Sequence, residues 1–254
     1  MQSLTINCDE TSLRLDKKNY WVHVYSSGVL TLKFLHRRRG TEAVEDIGII
    51  PRYGGVIIHD CWLPYFTYKN CQHALCGSHL LRELTFVIDS NNYRWATRMK
   101  RLLQETCKKV SKSKRKRLTP KQYARIVKWY RHIITCAKKE MPPIPTRKDG
   151  RRGRIAKSDA HNLLDRFGTH ETSVLLFAQL GHVPFTNNRA ERDLRMGKVY
   201  PHFSNSFLLR GSIVGNLRVC SILLTSVCFN TPSPHKICAD SYFANSCLAR
   251  DGVV

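Results

Sequence analysis

Gly55-Val56-Ile57-Ile58-His59-Asp60, followed at once by Cys61-Trp62-Leu63-Pro64-Tyr65, is the stretch on which the reading of this chain turns. A short apolar run between turn signals predicts a buried strand. This one opens after Gly54-Gly55 and ends on an acid. A carboxylate at the end of a buried strand is held rigidly and is suited to bind a metal. Upstream, Leu4-Thr5-Ile6-Asn7-Cys8-Asp9 is a second strand-like run that also ends on an acid. Between the two, Tyr20 to Ser26 and Val29 to Leu35 are rich in β-formers, with Ser27-Gly28 as their turn and Asp16 to Asn19 as the link to the first strand. Thr41 to Ile47 has helical composition, with Thr41 placed to cap it. Three antiparallel strands, a helix and a further strand make an α/β start. Far downstream, Asn187 to Arg195 predicts a helix that carries Glu191 and is capped by Asn187 or Asn188.

The totals bound the partners. The 254 residues are 42% hydrophobic, enough for a real core, and carry a formal charge of +23 with a pI near 9.9. Such a charge attracts polyanions, and nucleic acid leads among them. No run of 18 apolar residues predicts a membrane span, and the N-terminus lacks the basic start and apolar segment of a signal peptide. Ten scattered cysteines argue for a reducing compartment rather than a disulfide framework. The charge is concentrated: residues 94–154 hold 22 Lys or Arg against Glu105, Glu140 and Asp149. Two helices are expected there, about 93–110 and 119–139, with Trp95, Met99, Leu102 and Leu103 in the first and Tyr123, Ile126, Val127, Tyr130 and Ile134 in the second forming packed stripes. Met141-Pro142-Pro143-Ile144-Pro145 ends the second, and Lys148 to Arg154 reads as a basic loop. Residues 157–180 look helical again, and Thr225 to Val254 show no periodicity.

Three acids, Asp9, Asp60 and Glu191, thus sit on strand, strand and helix of a very basic chain. Phosphodiester chemistry needs charge stabilisation on the attacking and leaving oxygens, which two magnesium ions held by carboxylates can supply. Composition alone does not select this triplet from 19 acidic residues. Asp16, Glu10, Asp46 and Asp193 are the rivals. Glu10 follows Asp9 and faces the other side of a strand, and Asp193 lies on a different helix face from Glu191.

The words around these acids are more specific. GVIIHDCWLPYFTY, CQHALCGSHLLREL and VPFTNNRAERDLRMGKV resemble transposases of the insertion sequence 66 family, as do CDETSLRL, HRRRGTEAVEDIGIIPRYGGVIIHDCW and RWATRMKRLL. The likeness runs from about Cys8 to Lys198 and fades after Phe207. It implies a ribonuclease-H-like mixed α/β sheet with flanking helices, an Asp-Asp-Glu triad of Asp9, Asp60 and Glu191, and two magnesium (or manganese) ions. The expected organisation is a first core segment 1–92, a basic helical insertion 93–155, the remainder of the core with the Glu191 helix 156–210, and a divergent tail 211–254 that is open to disorder. The implied function is metal-dependent cleavage and transfer of DNA strands in the bacterial cytoplasm, at the nucleoid. The partners would be DNA, further copies or an intact transposase, and accessory proteins of the element, with no membrane. Members usually carry N-terminal DNA-binding, zinc-binding and coiled-coil segments, so the chain reads as a truncated catalytic part. The competing readings are a catalytically inactive DNA-binding remnant and another nuclease of the same fold, such as a junction resolvase.

Two further groups stand out. Cys71, His73, Cys76 and His79 put four soft ligands into nine residues, a density that suits zinc or, equally in kind, packed thiols and hydrogen-bonded imidazoles. The Cys76-x-x-His79 pair also resembles a signature found after the second Asp in several transposase families. Lys112, Lys114, Arg115, Lys116 and Arg117 are expected to meet DNA phosphates. Arg195 and Lys198 share the helix face of Glu191 and are expected at the DNA backbone, with an Arg195–Glu191 salt bridge as the alternative for Arg195. Trp62 and Tyr65 could pack in the core or stack on an unpaired base.

Overall fold

A computed structural model describes residues 3–15, 17–28, 30–144, 157–199, 213–214 and 217–223. The chain divides into two units, 1–223 and 224–254, and all described residues belong to the first. Asp16, the basic stretch 148–154 and the tail beyond 223 lie outside the described residues.

The architecture is α/β. Strands β1 (Thr5–Leu15), β2 (Lys18–Ser27) and β3 (Leu30–His36) form an antiparallel meander, and β4 (Val56–His59) and β5 (Gln72–Leu75) join β1 in parallel, giving the order β5-β4-β1-β2-β3. The turns are where the sequence places them, at Lys17 and Gly28, both with positive φ. Asp9 does not end its strand as expected: β1 runs on to Leu15 because Thr11, Leu13 and Leu15 keep the β pattern, and Asp9 pairs with Val24 in mid-strand. The short β5 escapes sequence reading, since Gln72-His73-Ala74-Leu75 has no β-branched residue.

Helix α1 (Thr41–Ile47) is capped by the Gly40 backbone, so Thr41 is its first residue and not its cap. Helices α2 (Gly77–Asn91), α3 (Arg94–Lys112) and α4 (Pro120–Glu140) follow β5, and α5 (Asp159–Thr169) and α6 (Glu171–Gln179) meet at His170, which leaves helical geometry and splits the 157–180 stretch in two. Helix α7 (Asn188–Val199) packs on β1 and β2. No helix among the described residues is long and apolar enough to cross a membrane.

Two apolar clusters lie against the sheet. Alternation along β4 sends Val56 and Ile58 into the cluster made with α2 to α6, and Ile57 into the other, with Ile6, Cys8, Tyr25, Phe34, Val44 and Tyr65. The basic helical pair belongs to the first cluster: Trp95, Met99, Leu103, Ile126, Tyr130 and Ile134 are buried in it, as their spacing predicts, while Leu102, Tyr123 and Val127 are partly buried at its edge. The α3–α4 hairpin is closed at its base by Glu140, whose carboxylate accepts the Arg94 and Trp95 N–H groups at 2.6 and 3.0 Å. At its tip, Leu118 N–H donates to the Ala178 carbonyl at 2.9 Å, and a Cβ on Gly181 would stand 2.4 Å from the Arg115 carbonyl oxygen, so the basic loop is pressed onto the turn after α6.

Within the divergent tail 211–254, β6 (Ile213–Val214) and β7 (Leu217–Leu223) form a hairpin, and β7 pairs antiparallel with β3. The physical reason is the open backbone edge of β3, which a β-rich segment such as Leu217-Arg218-Val219-Cys220-Ser221-Ile222-Leu223 can satisfy.

Candidate functional site

The site forms where the C-terminal end of β4 meets the middle of β1 and the start of α7. In the parallel β1–β4 pair, Asn7 stands opposite Ile58. Asp9 lies two residues beyond Asn7 in β1, on the face of Asn7, and Asp60 follows β4 directly, two residues beyond Ile58. Asp60 leaves the strand through a sharp bend. Its Oδ1 accepts the Trp62 N–H at 3.2 Å, and Cys61 adopts φ 76°. A non-glycine residue in that region costs energy and is held only by surrounding contacts.

Asn187 fixes the third acid. Its side chain receives Asn7 Nδ2 at 2.8 Å, donates to the Cys8 carbonyl at 2.8 Å, and its backbone N–H reaches Cys76 Sγ at 3.1 Å. One buried amide therefore ties the start of α7 to the residue before Asp9 and to the start of α2. Asp193, a rival acid, is spent on structure: it is buried and accepts Ser26 Oγ at 2.6 Å and Thr31 Oγ1 at 2.7 Å. These two anchors straddle Glu191 and fix the first turn of α7 against β1 and β2. The Asp9 carboxyl is pushed up to about 7, by burial first, then by the charges of Glu10, Asp60 and Glu191, against one stabilising hydrogen bond from the Glu10 N–H.

Glu10 points to the opposite face, as strand alternation requires, but it is not solvated. Its side chain is 2% exposed. Oε1 accepts Arg39 Nε and Nη2 at 3.0 and 2.7 Å, and Oε2 accepts the Tyr65 hydroxyl at 2.9 Å. The Arg39 guanidinium lies between Trp62 and Trp21, 4.6 and 5.1 Å from their ring centroids. Tyr65 is buried and Trp62 half-buried, so both serve the packing of this brace. The brace joins the β1 residue beside Asp9 to the loop beyond Asp60, and a charged residue at an apolar strand register was its only trace in the sequence.

The four soft ligands separate. His73 and Cys71 belong to the β5 side: His73 Nε2 bonds the Tyr68 carbonyl at 2.8 Å, its Nδ1 lies 3.1 Å from His59 Nε2, and Cys71 Sγ lies 3.8 Å from the same Tyr68 carbonyl. Cys76 and His79 instead meet Glu191. Among the described residues, the metal-ligating atoms that gather within 4.8 Å of one another are those of Cys76, His79 and Glu191. His79 Nδ1 and Glu191 Oε1 face each other at 3.6 Å, beyond hydrogen-bonding distance, and both are buried without a hydrogen-bond partner. Burial raises the Cys76 thiol, but the His79 imidazole and the Asn187 amide outweigh it and leave the thiol below its ordinary value.

The basic residues are solvent-facing. Lys112, Lys114, Arg115, Lys116 and Arg117 are all exposed on the α3–α4 loop. Arg195 is exposed and reaches back toward Glu191, with Nη2 3.8 Å from Oε2. The side chain of Lys198 lies outside the described residues.

The family model described as "Transposase IS66 family" matches residues 1–207. The chain belongs to this family. No curated protein and no solved structure matches it. For an IS66-family transposase, DNA is the implied substrate, and the acid cluster and the basic surface are the two parts of the molecule with chemistry to offer it. Asp9, Asp60 and Glu191 offer the oxygen donors that magnesium takes, but among the described residues their ligand atoms do not all lie within 4.8 Å of one another.

Proposed function

We propose that this chain carries a ribonuclease-H-like catalytic core in which Asp9, Asp60 and Glu191 hold magnesium and support cleavage and transfer of DNA strands. The observation that supports this reading is the placement of Asp9 on β1, Asp60 just beyond β4 and Glu191 in the first turn of α7, which packs on β1. The strand order β5-β4-β1-β2-β3, with β2 alone reversed among the five, supports the same reading.

Bound metal would polarise the scissile phosphate and lower the pKa of the attacking water or 3′-hydroxyl. The chain's own part is to place the ligands. Asn187 holds α7 against β1, the Glu10–Arg39–Tyr65 brace holds β1 against the Asp60 loop, and the bend at Cys61 aims the Asp60 carboxylate. DNA would be drawn in by Lys112, Lys114, Arg115, Lys116 and Arg117 and by Arg195 and Lys198 on α7, since basic side chains gain free energy by releasing counterions from the duplex.

The test is a nicking and strand-transfer assay on DNA carrying the element's ends, with magnesium or manganese. Metal-dependent cleavage by the wild-type chain that drops at least 100-fold in Asp60→Ala is expected. Equal cleavage by both proteins would refute the assignment of the acids.

A further inference from the structure

Cys76, His79 and Glu191 come from two helix starts that the Asn187 amide holds together. Cys76 is the residue before α2, His79 lies in the first turn of α2, and Glu191 lies in the first turn of α7. Their ligand atoms already lie within 4.8 Å of one another. The arrangement has little freedom to collapse: a Cβ on Gly77 would stand 2.2 Å from Phe185 Cζ, and Gly77 N–H donates to the Phe185 carbonyl at 2.8 Å. Inside this fixed frame two buried polar atoms, His79 Nδ1 and Glu191 Oε1, have no hydrogen-bond partner. Leaving such atoms unsatisfied is costly, and a cation that both can ligate would satisfy them at once.

We propose that Cys76, His79 and Glu191 form a binding site for one thiophilic divalent cation, zinc in chemical class. Sulfur, imidazole nitrogen and carboxylate oxygen are a donor set that zinc accepts and magnesium does not. Binding releases the Cys76 proton to solvent, and the thiolate, His79 Nδ1 and Glu191 Oε1 become ligands. Three protein ligands leave a fourth tetrahedral position for water or a phosphate oxygen. The Asn187 N–H donates to Cys76 Sγ at 3.1 Å and so orients the sulfur. The site rests on residues outside the proposed magnesium centre except for Glu191, which the two readings share. A metal at Cys76 and His79 therefore holds Glu191 turned toward α2.

The probe is cobalt(II), which reports a thiolate ligand by a near-ultraviolet charge-transfer band and tetrahedral geometry by intense visible bands. The reduced full chain is titrated with cobalt and then with zinc. One equivalent of cobalt should develop both bands, and zinc should remove them. Cys76→Ser should lose the charge-transfer band, and His79→Gln and Glu191→Gln should each weaken binding at least 10-fold. Cys136→Ser is the internal control, because Cys136 Sγ lies 3.6 Å from His132 Nε2 on α4 and could bind cobalt by itself. Circular dichroism of each variant separates lost ligation from lost fold, and His79→Gln serves if Cys76→Ser does not fold. Asp60→Ala should bind cobalt like the wild type while losing DNA cleavage, so failure of this site and failure of the magnesium reading are told apart. A wild-type chain without the charge-transfer band, a band that survives in Cys76→Ser or disappears in Cys136→Ser, or undiminished affinity in Glu191→Gln would overturn the proposal.

Discussion

Asp9 concentrates the electrostatics of the site. Burial and the neighbouring acids raise its carboxyl to about 7, so the folded chain keeps a proton there that the unfolded chain releases near the ordinary aspartate value. The sign follows from linkage. The folded state binds the extra proton between those two values, so the stability present at acid pH is lost as pH rises toward 7. Without metal, Asp9→Asn should therefore be more stable than wild type at pH 8, by on the order of 1–3 kcal/mol. Urea denaturation in chelator reads this directly, and added magnesium should narrow the gap by stabilising the wild type alone. An Asn variant no more stable than wild type would show that burial and the neighbouring acids do not penalise ionised Asp9. The sequence puts Glu10 on the strand face opposite Asp9, as a structural or solvated acid. The alternation argument gave its face correctly, but only tertiary packing brings Tyr65 and Arg39 to that face. Arg39→Ala strands a buried carboxylate, and a loss of about 3–5 kcal/mol is expected in the same assay.

At the scale of elements, the α3–α4 hairpin was legible because helical periodicity is local. Thr119 forms a capping box with Gln122, Pro120 occupies the first turn, and the apolar stripes face the core. Thr119→Ala should cost about 1 kcal/mol, measured by thermal or urea unfolding. The hairpin tip makes a separate prediction. Replacing Lys112, Lys114, Arg115, Lys116 and Arg117 with Ala should weaken duplex binding and flatten its salt dependence, while leaving the melting temperature nearly unchanged because all five are exposed. Fluorescence anisotropy over a salt series measures the slope, and an unaltered slope would place the DNA elsewhere. The sequence missed β5 and the β6–β7 hairpin for one reason: a strand is completed by its neighbours, and four weakly β-forming residues become β5 only because β4 lies beside them.

Across the whole molecule, His59 and His73 join the end of β4 to β5 and to the loop after Asp60. The Cys61 N–H donates to His59 Nδ1 at 3.2 Å, so His59 Nε2 carries the proton that points at His73 Nδ1, and His73 Nε2–H meets the Tyr68 carbonyl. Both rings must be neutral for this chain of bonds, and burial pushes both below the ordinary histidine value. His23 is held low by burial as well, at about 4. The stability these rings confer is therefore present above about pH 6.5, where unfolded histidine is neutral, and is lost as pH falls below it. Urea unfolding at pH 7.5 and 5.5 should show the loss, and His73→Gln should shrink it. An equal loss in the variant would remove this pair from the account. The stacking of Phe66 on His170, with centroids 4.0 Å apart, ties the same loop to the α5–α6 junction, so acid should loosen the Asp60 loop before the helical cluster.

The sequence by itself determined the elements that carry the acids and the basic hairpin, because strand alternation, helical spacing and clustered charge are properties of neighbours along the chain. It also determined family membership, which rests on ordered local words from the first strand to the Glu191 helix. The tertiary structure alone decided how the soft ligands divide. Cys71 and His73 face the β5 side, whereas Cys76 and His79 start α2 and meet an acid more than a hundred residues away. It alone decided that Asn187 is a tether and not only a helix start, and that Asp193 is bound to Ser26 and Thr31. Spacing along the chain states which residues can share an element. It does not state which elements pack together, and the long-range hydrogen bonds that orient a site exist only once they do.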